Sequence, residues 1–117
     1  MSTDSLNKFD YKAGGYVQIT GTEDWVEVAD LGEGGYSWCE FKAFYSPNAR
    51  RYFWHGDSGC SCNSWNDDLN TAADFEDGDR AALLRAWEAF AKEHDYYVHV
   101  SEYIPGVNTI RNFKESK

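Results

Sequence analysis

Residues 25–31, 36–45 and 50–55 alternate between apolar and polar side chains, and a turn signal separates each run from the next. Gly32-Glu33-Gly34-Gly35 supplies residues that accept a positive φ, and Ser46-Pro47-Asn48-Ala49 places proline where its fixed φ favours a turn. A period of two is the strand period, so runs joined this way are constrained to an antiparallel meander. Pairing Tyr45 with Arg50 sets Phe41 opposite Trp54, Glu40 opposite His55 and Cys39 opposite Gly56. Pairing Leu31 with Tyr36 sets Val28 opposite Cys39 and Val26 opposite Phe41. One face then carries Val26, Val28, Cys39, Phe41, Ala43, Tyr52 and Trp54; the other carries Trp25, Glu27, Trp38, Glu40, Lys42, Arg51, Phe53 and His55.

The first face needs a cover, and the chain supplies one. Leu83, Leu84, Trp87, Phe90 and Ala91 form a single apolar stripe, which predicts a helix from about residue 79 to 94 with Asp77 or Asp79 capping its start and Glu88 pairing with Lys92. Gly14-Gly15 predicts an earlier hairpin between residues 9–12 and 16–20. Residues 96–104 alternate again, with Val98 and Val100 inward and Tyr97, His99 and Tyr103 outward, until Pro105-Gly106; this predicts one more strand. The expected fold is α+β: about five meandering strands, one main helix packed on one face, then a further strand, in a single domain spanning residues 1–117 with loose ends at 1–8 and 111–117.

Twenty acidic against eleven basic residues give a formal charge of −9, which repels a phosphate backbone and argues against direct nucleic-acid binding. The same charge suits a basic protein partner. No run is long enough to span a membrane and the first residues lack the pattern of a secretory leader, so the expected location is cytoplasmic. Three cysteines in such a chain are expected to be reduced thiols. Monomer and homodimer both remain open, since an unpaired sheet edge permits dimerisation.

The closest set of reactive side chains is at residues 52–65. Gly56-Asp57-Ser58-Gly59 matches the surroundings of the nucleophile in trypsin-like proteases, but the chain lacks room for two barrels and for separated His and Asp partners; Gly, Asp and Ser are also what a tight turn prefers. Cys60 and Cys62 could offer two thiolates to zinc with Cys39, His55 or His94, although the single-residue spacing is not that of zinc modules and the register turns His55 and Cys39 to opposite faces. Cys60 as nucleophile, with His55 as base and Asp57 as orienter, is the enzyme reading; near neighbours on a strand and turn usually diverge. The expectation is therefore no enzyme, no cofactor and no metal. The acidic run Asp67, Asp68, Asp74, Glu76, Asp77 and Asp79 fails the EF-hand template, because Gly78 does not fall at the required loop position.

What remains is recognition. Trp25, Trp38, Phe44 and Phe53 beside Glu40 and His55 form either a buried second face or a protein-binding patch, and Asp67, Asp68, Asp74, Glu76 and Asp77 could present carboxylates to a basic site in imitation of phosphate. The stretch from Trp54 to Cys62, Trp-His-Gly-Asp-Ser-Gly-Cys-Ser-Cys, resembles one found in small uncharacterised proteins of actinobacteriophages and covers about a tenth of the chain. The resemblance implies an accessory protein acting on a host component, an inhibitor or immunity-like binder, and assigns no catalytic or binding residue.

Overall fold

The computed structural model describes residues 4–33, 37–94 and 100–115. A two-stranded ribbon, β1 (Asn7–Asp10) and β2 (Gly15–Gln18), precedes a four-stranded antiparallel sheet of β3 (Val26–Glu33), β4 (Ser37–Ser46), β5 (Arg51–Cys60) and β6 (Glu76–Gly78) in the order β3-β4-β5-β6. Two helices follow, α1 (Arg80–Glu93) and α2 (Val100–Asn112). The class is α+β, with helices packed on one face of the sheet. No described helix is long and apolar enough to cross a membrane.

The register differs from the expected one, in instructive ways. β4 and β5 pair as Ser46↔Arg51, Ala43↔Trp54 and Phe41↔Gly56, two residues away from the expected pairing. An even slip keeps every side chain on its face. Its cause is a turn of the same length set one residue later, over residues 47–50: Arg50 takes a left-handed φ of 54° and donates its N–H to the Ser46 carbonyl at 2.8 Å. β3 pairs with β4 as Leu31↔Phe41 and Ala29↔Ala43, five residues from the expected register. An odd shift turns a strand over, and a bulge between Glu27 and Ala29 compensates by inserting Val28, so Val28 and Ala29 are both buried while Val26 is exposed.

Against the helix-facing side of the sheet lie Leu83, Trp87, Phe90 and Ala91 of α1 and Ile110 of α2, together with Val28, Cys39, Phe41, Ala43, Tyr52 and Trp54. α1 matches the expected helix. Asp79 caps it, its Oδ1 accepting from the Ala82 N–H at 2.8 Å, and Lys92 meets Glu88 at 3.1 Å.

The expected last strand is replaced by a helix over residues 100–104, the rest of that stretch, 96–99, lying outside the described residues. Tyr103, Val107, Ile110 and Phe113 all pack on the core, and their spacing of four, three and three is helical. Pro105 sits inside α2, and Gly106 is what lets the helix dock: a Cβ there would lie 2.7 Å from the Trp87 indole nitrogen.

Leu6 is buried, and beyond α2 the Arg80 guanidinium donates to the carbonyls of Arg111 and Phe113 and to Glu115. The Tyr52 hydroxyl donates to Glu115 at 2.7 Å; burial, and then this bond, push its pKa well above the ordinary phenol value. The bonds from Tyr52 and then Arg80 hold the Glu115 carboxyl below its ordinary 4.5. Burial opposes ionisation of Asp24, but the Ser46 hydroxyl and the Asn48 N–H outweigh it and hold that carboxyl below 3.8.

Carboxyls lowered on folding mean that the folded chain binds fewer protons than the unfolded one. Their stabilisation is complete above the ordinary values of 3.8 and 4.5 and is lost as the pH falls through the lowered folded values. Thermal unfolding followed from neutral to about pH 3 should show stability falling with acid, and Asp24→Asn with Glu115→Gln should flatten that fall. An unchanged acid limb would remove these two groups from the account.

Candidate functional site

The second face of the sheet, the one open at the sequence level to two readings, is a core. Trp25 stacks on Phe53 with centroids 4.4 Å apart and meets Phe75 edge-on, and Phe44 is fully buried. Leu6, Ile19, Trp65, Leu69 and Phe75 complete this layer. The cover comes from residues 61–75 and the two ends of the ribbon, joined by polar bonds: Ala72 N–H to the Thr20 carbonyl at 2.8 Å, Lys8 Nζ to the Asp67 carbonyl at 2.8 Å, and Asn66 Nδ2 to the carbonyls of Ser5 and Asn7. Trp25 and Trp38 are each about 5% exposed, and Phe53 is only partly accessible.

The acidic run is mostly spent on structure. Asp74 accepts the N–H groups of Asn70 and Thr71 in a capping box, which lowers its pKa. Glu76 accepts the Trp54 indole N–H at 2.9 Å, Asp77 pairs with Arg51, and Asp67 accepts the Ser64 N–H at 2.9 Å. Asp68 is exposed. Three-dimensional partners, invisible in composition, hold these carboxylates in place.

The expectation of three reduced thiols is corrected for two of them. Cys60 and Cys62 form a disulfide, and Cys39 is buried in the helix-side core. A disulfide sulfur is neither a thiolate ligand nor a nucleophile, so this state supports neither the zinc nor the Cys60 enzyme reading. Among the described residues no group of three or more His, Cys, Asp or Glu converges on a metal position. Gly56-Asp57-Ser58-Gly59 is strand rather than turn: Gly56 makes room for Phe90 and Gly59 for Asn63. His55 lies 3.8 Å from Asp57 and edge-on to Trp65, and its Nε2 is buried without a hydrogen bond.

The surface that is open lies beside this second core. On the ribbon, Tyr11 is 89% and Tyr16 76% exposed, and both rings meet the half-exposed Phe9 edge-on, at 4.8 and 5.4 Å. Asp10 shapes the tip, its carboxylate accepting from the N–H groups of Lys12 and Ala13, and Gly14 takes a φ of 73°. The three rings border a groove of about 800 Å³ whose other walls include Trp38, Glu40, Lys42, Asn63, Trp65 and Asn66. The wall charges are internally matched: Lys42 meets Glu40 at 3.1 Å and lies over the Trp65 ring. Asn63 is fixed by accepting the Cys60 N–H, and Asn66 by donating to two carbonyls, so each amide has one end anchored. The described lining thus combines solvated rings with polar side chains pinned at one end. Gly14-Gly15 signalled the hairpin in the sequence, but not that Phe9, Tyr11 and Tyr16 would stand exposed on it.

A family described as Domain of unknown function (DUF7574) has a model that matches residues 21–116. No curated protein and no solved structure matches the chain.

Proposed function

The chain belongs to the DUF7574 family, and because that description assigns no activity, we propose from the geometry a non-enzymatic binding protein that docks a protein partner on the aromatic ribbon and the groove beside it. The observation that carries this reading is the exposure of Phe9, Tyr11 and Tyr16 as one cluster on a ribbon, while every other Phe, Tyr and Trp among the residues whose burial is described is buried or partly buried. Large rings left in water cost free energy unless something covers them, and Tyr is among the residues that most often anchor interfaces. The net charge of −9 steers a basic partner toward the surface. A phage accessory protein that blocks a basic host protein, the class implied by the sequence resemblance, would use such a surface.

Tyr11→Ala with Tyr16→Ala tests it. Both side chains are solvated, so stability should change by less than about 1 kcal/mol. Affinity for the partner that the wild-type chain retains from host lysate should fall by about thirtyfold or more, the scale of losing hot-spot residues. Equal retention by the double variant sinks the ribbon as the contact surface.

A further inference from the structure

On the opposite layer, between α1 and the β5–β6 edge, lies a second groove of about 630 Å³. We propose that it takes a lysine or arginine side chain from an extended segment of a partner protein. The proposal rests on the recognition reading above and gives that partner its chemistry.

The floor of the groove is where the buried Trp54, Phe41 and Phe90, each at most 7% exposed, come to the surface, and Gly56 keeps the strand and these rings close: a Cβ there would sit 2.6 Å from Phe90 and 3.1 Å from Phe41. Ala86 and Ala89 on α1 leave room for a long stem. All three ionisable side chains in the lining, Glu76, Asp77 and Glu93, are acidic. Arg51 offsets Asp77 from outside the lining, Glu76 accepts the Trp54 indole N–H through one oxygen, and Glu93 has His94 Nε2 at 4.0 Å, so Glu76 and Glu93 are the carboxylates that no lysine or arginine of this chain offsets among the described ion pairs.

An aromatic floor with a carboxylate rim fits an aliphatic stem ending in a cation, as lysine and arginine do. It does not fit a bare metal ion, which needs several converging oxygens. The groove borders β5 where β6 has ended: β6 pairs only with Tyr52, Phe53 and Trp54, and beyond them the N–H groups of Ser58 and Cys60 are met by the side chains of Asp57 and Asn63. A segment lying along this edge can lower one side chain into the groove.

The test uses the full chain, isotope-labelled, and a blocked glycine-serine heptapeptide with one central arginine, against the same peptide carrying citrulline, which keeps the shape and removes the charge. The arginine peptide should cause saturable NMR shifts at the Trp54 indole and the amides of Gly56, Ala86 and Ala89, with citrulline at least about tenfold weaker. Glu93→Gln should weaken the response severalfold, and Ala89→Arg, which sets a guanidinium from the helix itself over the groove, should abolish it. Equal shifts with citrulline, shifts centred on Asp67 and Asp68, or tighter saturation by free spermidine than by the peptide would each overturn the proposal. Tyr11→Ala with Tyr16→Ala should leave these shifts unchanged, so failure at the ribbon and failure at this groove are read separately.

Discussion

Replacing Trp87 with alanine should remove about 3–5 kcal/mol of stability, a large share of the roughly 5–15 kcal/mol that a domain has. Trp87 is fully buried, touches Phe41 and Phe90, stacks on Tyr103 at 6.3 Å and donates its indole N–H to the Tyr103 carbonyl at 3.1 Å. It is the side chain through which α1 holds both the sheet and α2. Truncation opens a cavity at that junction and removes the donor from a carbonyl facing the core. Urea denaturation should show a lower midpoint, and amide exchange in α2 should accelerate more than in β4. A loss below about 1 kcal/mol would mean that this junction contributes little, contrary to its burial.

The second large effect is expected at Gly32. Its φ is 113°, and a Cβ there would lie 2.2 Å from the Cys39 carbonyl oxygen and 3.0 Å from the Glu40 Cα. Those atoms are backbone in the paired strand, so they can yield only by breaking the β3–β4 ladder where Gly32 faces Glu40. Gly32→Val combines conformational strain with overpacking, and the two together should cost about 3–5 kcal/mol. Gly14→Ala is the matched control: its φ is 73°, but nothing lies within 4 Å of an added Cβ. It should cost only about 1–2 kcal/mol, the price of a left-handed residue. Similar melting temperatures for the two variants would show that the clash at Gly32 relaxes easily.

Elements with their own period were legible in the sequence. α1 announced itself through its stripe and its aspartate cap, and the faces of β4 and β5 survived a wrong register because the slip was even. α2 was not legible, because Pro105-Gly106 reads locally as a stop; its helical spacing of Tyr103, Val107, Ile110 and Phe113 competes with the alternation that precedes it. The fate of the second face was undecidable from strand patterning alone, since its cover is an aperiodic stretch in which Trp65, Leu69 and Phe75 are placed by hydrogen bonds between distant residues. The same holds for the acidic run, where Asp74 and Glu76 meet partners fixed only by the fold.

The ribbon leaves and rejoins the body where the Ile19 N–H donates to the Leu6 carbonyl at 2.7 Å, and its base is tied down by Lys8, which donates to the Asp67 carbonyl, and by Asn66, which donates to the Asn7 carbonyl. Everything between Leu6 and Ile19, residues 7–18, is an excursion that begins and ends at the same place and contributes no buried residue to either apolar layer. It also precedes the span that the family's model matches. The ribbon is thus laid out as a cassette: a short turn could close the gap between Leu6 and Ile19, or a ribbon of different sequence could be grafted there, exchanging the exposed rings while both apolar layers keep their residues.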